Sequence, residues 1–170
     1  MKEIVLALLV AAPVFAQTPS NPMSADLKAT WNQIKANIAK SAEKMPEENY
    51  AFKPTPEVRS FGQLIAHVAD ANYMICGAAK GEQKSMGIEK SKTSKADLIA
   101  ALAESAAYCD SAYDALTDAS AAETVRMFGR ERSRMGALQM NMAHDFEHYG
   151  NLVTYLRMKG LVPPSSEPRR

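Results

Sequence analysis

Leu27, Trp31, Ile34 and Ile38 recur every three or four positions, which is the period of one helical face. Pro46, Pro54 and Pro56 then break the pattern, so residues 46–57 read as a loop. Ser60 followed three positions on by Gln63 is a capping-box start. Phe61, Leu64, Ile65, Val68, Ala71 and Ile75 form the buried stripe of a second helix that ends near Gly81. Residues 81–92 are polar and loop-like. Ser94 with Asp97 opens a third helix, with Leu98, Leu102, Cys109 and Leu116 on one side. Residues 117–132 show no clear period. A fourth helix is predicted from about Arg134 to Lys159, stopped by Gly160 with Pro163 and Pro164 beyond it. No alternation is long enough for a strand, and there is no repeat and no glycine-rich phosphate loop. Four amphipathic helices of about 20 residues predict an all-α, four-helix bundle.

The chain start follows different rules. Lys2 precedes the apolar run Ile4 to Ala12, and Val14, Phe15 and Ala16 lead to a cut after Ala16. This pattern reads as a secretory signal over 1–16. The run is well short of the roughly 20 residues a membrane-spanning helix needs, so no stable membrane insertion is expected after cleavage. The expected organisation is signal peptide 1–16, linker 17–22, bundle 23–162 and a flexible tail 163–170, with the mature protein in the periplasm.

The sequence has 170 residues, 46% hydrophobic and 23% charged, which suits one ordinary folded domain. Lys and Arg number 20 against 19 Asp and Glu. That balance excludes a general nucleic-acid binder, which needs a basic surface. Two cysteines cannot build a cysteine-rich zinc module.

His144 and His148 lie four residues apart on the fourth helix, about 40° apart in rotation and one turn above each other. Both can reach one ion. Ala137, Asn141, Leu152 and Tyr155 share their face, and a second apolar stripe carries Leu138, Met142, Phe146, Tyr149 and Val153. Two stripes mean a helix packed on two sides, which places the histidine face inside. His67 flanks the apolar arc of the second helix. Three imidazoles from two helices would make a three-His site for a divalent metal. The competing reading is three core histidines with ordinary hydrogen-bond partners, and helical spacing alone does not bring His67 to the pair. Three buried, unpaired imidazoles would pay desolvation without a metal, which favours ligation. Asp70, one turn after His67, is a candidate acceptor for a ligand's other ring N–H; Asp145 and Glu147 are alternatives, but a solvated helix face explains those two at least as well.

Cys76 is about 900° and 13 Å along the helix from His67, so it faces away and is a weak ligand candidate. A Cys76–Cys109 disulfide and two buried thiols are equal alternatives. The ten methionines read as core filler rather than as a copper site. Arg126, Arg130, Arg132 and Arg134 read as a solvated loop, with an anion site near the bundle mouth as the alternative.

Two stretches, Arg59 to Ala69 around His67 and His144 to Arg157 running on to Gly160-Leu161-Val162-Pro163-Pro164, resemble the DinB/YfiT family of metal-binding bundles. The loop from Tyr50 to Ser60 has the same look. The resemblance implies an up-down-down-up topology and a three-His site for zinc, nickel or a similar ion, with His67 matching the ligand of the second helix and His144 and His148 the pair of the last. Homodimers are common in that family, and some relatives are transferases or isomerases that use small thiols. An export signal is a departure from that pattern and sets the thiol-transferase reading in doubt.

Three protein ligands leave a coordination position open, as catalytic zinc sites do. The first functional reading is therefore a metal-dependent hydrolase or transferase acting on a small molecule, with Tyr155 or Asn141 orienting substrate and no identifiable general base. The second is a non-catalytic metal-binding or stress protein whose ion is structural or cargo. Imidazole suits several metals, so zinc or nickel is named on the resemblance.

Overall fold

The computed structural model describes residues 20–168, so the expected signal peptide lies outside the described residues. The long helices are α1 (Pro22–Lys44), α2 (Phe61–Lys80), α4 (Lys95–Ala115) and α5 (Arg134–Met158), with a single-turn helix α3 (Ile88–Ser91) between α2 and α4. A hairpin of β1 (Thr124–Met127) and β2 (Arg130–Ser133) joins α4 to α5. None of the described helices is long and apolar enough to cross a membrane.

The free N–H groups at the helix starts are satisfied by local caps at α2, α4 and α5 and by residues from elsewhere in the fold at α1 and α3. Pro22 opens α1, where a missing N–H and a preset φ cost nothing. Asp118, from the loop after α4, accepts from the Ser24 and Met23 backbone N–H at 2.8 and 3.2 Å. At α2 the capping box forms: Ser60 Oγ accepts from Gln63 N at 3.2 Å, and Gln63 Oε1 accepts from Ser60 N at 2.9 Å. Gly81 ends α2 at φ 78°, a left-handed position that suits glycine. Ser94 and Ser133 cap α4 and α5 more simply, each side chain accepting from the backbone N–H three residues on, Asp97 and Gly136, without the reciprocal bond.

Contacts between helices give the direction of each. From α2 to α4, Asn72 meets Ser105 and Cys76 joins Cys109, so both numbers rise together and the helices are parallel. From α1 to α4, Lys28 meets Asp114 and Lys35 meets Asp110, so these two run antiparallel. From α2 to α5, His67 lies by His144 and Asn72 by Asn141, again antiparallel. The result is the up-down-down-up bundle that the resemblance implied. Trp31, Ile34, Ile38, Phe61, Ile65, Val68, Leu98, Leu138, Leu152 and Leu156 fill its core. Trp31 stacks on Tyr113 with ring centroids 4.8 Å apart. Of the two cysteine alternatives, the disulfide is the one present, with Cα atoms 5.3 Å apart.

Two expectations need correction. The stretch 117–132 holds a β-hairpin, in which Val125 and Met127 are buried and Thr124 and Arg126 exposed. Four residues are too few for period-2 alternation to stand out, and the turn Phe128–Gly129 takes positive φ at both positions (50° and 76°). On that hairpin Arg126, Arg130 and Arg132 are exposed, and Arg134 pairs with Glu123 at 2.6 Å, away from the histidines. Phe146 is 44% exposed, because α5 packs on α1 and α2 while its outer side faces solvent. Beyond α5, Pro164–Ser166 form a short 3-10 turn. Ser165 N donates to Tyr149 Oη at 2.9 Å, and Lys44 pairs with Glu167.

Candidate metal centre

The α2–α5 seam carries the three histidines. His67 sits midway along α2, and His144 and His148 occupy consecutive turns of α5. His144 Nε2 is 3.2 Å from His67 Nε2 and 3.1 Å from His148 Nε2. All three ligand atoms lie within 4.8 Å of one another. Nitrogens bound to one ion at about 2.0–2.1 Å stand roughly 3–3.4 Å apart, for angles between 90° and tetrahedral. The His144–His67 and His144–His148 separations fall in that range, and with the third pair within 4.8 Å the three rings form a group that could hold a metal ion.

The opposite ring nitrogens are also placed. His67 Nδ1 faces Glu89 Oε2 at 3.4 Å, and Glu89 Oε1 accepts from Arg59 Nε at 2.8 Å. His148 Nδ1 lies 3.4 Å from the side-chain amide of Asn151. A half-turn of that amide presents its oxygen to an N–H. His144 Nδ1 points to Asp145 Oδ1 at 3.7 Å.

Charge favours neutral imidazoles, the form that binds metal. Burial, with the charges of His144, His67 and Arg59 added, lowers His148 to about 4. Burial, then Arg59 and His144, lowers His67 as well. Burial works against ionised Glu89, but its hydrogen bond and attraction to Arg59 overcome that and hold it below the usual carboxylate range. Burial pushes Asp145 up to about 6 against the pull of His144.

A mouth of about 630 Å³ opens beside His148, lined by Lys53, Arg59, Gln63, Asn151 and Tyr155 among others. Tyr155, expected on this face, lines it and donates through Oη to the Arg59 carbonyl at 2.6 Å. Glu147 lines it too and is exposed. Asn141 does not: it is fully buried, donates to Asn72 Oδ1 at 2.7 Å and accepts from Tyr113 Oη at 3.0 Å. It therefore belongs to a core network rather than to a substrate surface. Asp70 is displaced from its expected role as well. Its carboxylate accepts the backbone N–H groups of Ile88 and Glu89 at 2.8 and 2.9 Å, capping α3. It reaches His67 only indirectly, by fixing Glu89.

Sequence reasoning missed Glu89 and Asn151. Asn151 is three residues beyond His148, and helical i,i+3 adjacency was the available signal. Glu89 had none, since it comes from a polar segment whose path no periodicity sets.

Residues 30–152 match the model of the DinB superfamily. The uncharacterized protein YjoA of Bacillus subtilis is 25% identical over 122 residues, covering 70% of this chain and 79% of its own. A DinB-like protein of Bacillus cereus has the same fold, with TM-score 0.72 at 17% identity, covering 82% of this chain and 95% of that one. The crystal structure of YjoA superposes with TM-score 0.69 over 85% of this chain and 99% of that one, at 20% identity. A mycothiol-dependent maleylpyruvate isomerase shares the fold with TM-score 0.63 at 17% identity; the match covers 76% of this chain and 60% of that one. With a family match over most of the bundle, and with histidines on two helices meeting at one point, the chain belongs to the DinB superfamily.

Proposed function

We propose that this protein is an exported, metal-dependent hydrolase or transferase acting on a small molecule, with His67, His144 and His148 as ligands of zinc or nickel. The observation that carries the reading is the meeting of three Nε2 atoms beside an open mouth. A divalent ion held there supplies Lewis acidity and, with three protein ligands, a free coordination position. The chain's own residues do the rest. Glu89 and Asn151 hold the His67 and His148 rings in register. Lys53 and Arg59 line the mouth together with Glu57, Glu89 and Glu147, and Arg59 pairs with Glu89, so the wall carries both signs of charge and selects no one substrate charge. Tyr155 fixes the Arg59 backbone and with it that wall. A fold shared with an isomerase of small-molecule name supports the substrate scale. The buried disulfide supports an oxidising compartment such as the periplasm.

Metal analysis of the purified mature protein beside His148→Ala tests the site. The wild type should hold close to one equivalent and the variant little; equal contents would end the proposal. Ester, amide and thiol-transfer substrates then test the chemistry. A second reading, a structural ion, draws on the position of the histidines across the α2–α5 seam. It predicts a large metal-induced rise in melting temperature and no turnover across that panel.

A further inference from the structure

Asp145 follows His144 on α5 and is 1% exposed, and neither of its carboxylate oxygens has a hydrogen-bond partner. A buried carboxylate without a partner is costly, and an apolar residue of similar size would cost less. The nearest unsatisfied donor position is His144 Nδ1, 3.7 Å from Asp145 Oδ1, and that nitrogen is also buried without a partner. Two orphaned atoms thus face each other across a gap that a shift of under about 1 Å closes to a hydrogen bond. The other flank of the carboxylate is a cavity of about 80 Å³ between α1 and α4. Of the residues lining it, Lys35 is the one cation, and Lys35 is already paired with Asp110 at 2.5 Å. Glu43, also on the lining, adds no counter-charge. The charge that Asp145 answers must therefore come from the other side, through the His144 ring.

We infer that Asp145 is a positioning residue for the metal: it accepts the Nδ1 hydrogen of His144, fixes the tautomer that offers Nε2, and supplies the buried negative charge that balances the bound cation. This rests on the three-histidine reading above. Glu89 and Asn151 support their rings from the rim, whereas Asp145 supports its ring from inside the bundle.

Zn²⁺ affinity, measured by competition with a chromogenic chelator on the chelator-stripped protein, tests the inference. Asp145→Ala loses both charge and acceptor and should bind about 10–100-fold more weakly, the usual cost of losing such support. Asp145→Asn keeps an accepting oxygen and should fall between that variant and the wild type. The metal-free D145N protein should melt at or above the wild type, because an unpaired buried charge is gone. Lys35→Met should bind like the wild type. Wild-type affinity in D145A, or an equal loss in K35M, overturns the inference. If the wild type and His148→Ala both fail to bind Zn²⁺, the three-histidine reading fails and this inference with it. If the wild type binds, H148A does not and D145A matches the wild type, only the role of Asp145 is lost.

Discussion

Removing the Cys76–Cys109 bridge should lower stability strongly while leaving the metal centre intact. The cysteines are 33 residues apart in sequence, and both are fully buried. Closing a loop of that length removes about 4 kcal/mol of chain entropy from the unfolded state. For a domain of this size each kcal/mol moves the melting temperature by about 2–4 °C, so the expected fall is about 8–16 °C. Two versions of the perturbation are needed. The Cys76→Ala, Cys109→Ala chain adds the loss of two packed sulfurs, so its fall should be the larger. The wild type unfolded in reductant and refolded under it keeps those atoms and isolates the cross-link. Melting is followed by circular dichroism with chelator present, and Zn²⁺ affinity is measured separately. The bridge lies about 13 Å along α2 from His67 and ties it to α4, which carries no ligand, so affinity should hold below the midpoint of either melt. A reduced protein melting within about 2 °C of the oxidised one would refute the loop-closure argument. A parallel loss of Zn²⁺ affinity would refute the separation of bridge from site.

Three further outcomes are expected. Trp31→Ala empties a site at 0% exposure and removes the stack on Tyr113, so urea unfolding should show a loss of about 3–5 kcal/mol. Glu89→Gln weakens the support of His67 and should reduce Zn²⁺ affinity about tenfold in the same chelator competition, with little change in the metal-free melt. Metal-free stability should fall on acidification: His148 takes up a proton near its ordinary 6.5 when unfolded and only near about 4 when folded, so its contribution is present above pH 6.5, is lost as the pH drops from 6.5 towards 4, and then levels off. Asp145, raised to about 6 from 3.8, acts with the opposite sign and adds stability as the pH falls through that window, so urea titrations of Asp145→Asn across pH 4–7 should show the steeper acid loss.

The bundle was legible because its signals are local and repeat. Leu27, Trp31, Ile34 and Ile38 mark a helix whatever they pack against, and each of the four is buried. Ser60 with Gln63 specifies a start through two hydrogen bonds within one turn, and both form. The spacing of His144 and His148 fixed their shared face for the same reason. The hairpin was hidden because its strands have only four residues each and β2 is exposed along its whole length, so it offers no hydrophobic period. Phe146 was misplaced by a related limit. Periodicity places it on a stripe with Leu138 and Tyr149, but only packing decides how far round α5 the neighbours reach, and they stop short of it.

The three acidic residues around the site show where local reasoning ends. Asp70, Glu89 and Asp145 carry the same functional group, and helical spacing places Asp70 one turn from His67, the position from which spacing predicts support of a ligand. What each one does depends on what stands across from it. Asp70 meets the free N–H groups of α3, which at four residues is too short to hold itself and needs that cap. Glu89 gains His67 only because α3 is pinned there and Arg59 turns its carboxylate. Asp145 is adjacent to His144 in sequence, where side chains of one helix normally diverge by about 100°, yet inside the bundle its oxygen comes to 3.7 Å of that ring. Two of the three candidate ligands are therefore written in the period of α5, while two of the three proposed supports depend on tertiary placement: a one-turn helix carrying Glu89, and a buried carboxylate whose cost the proposed site explains.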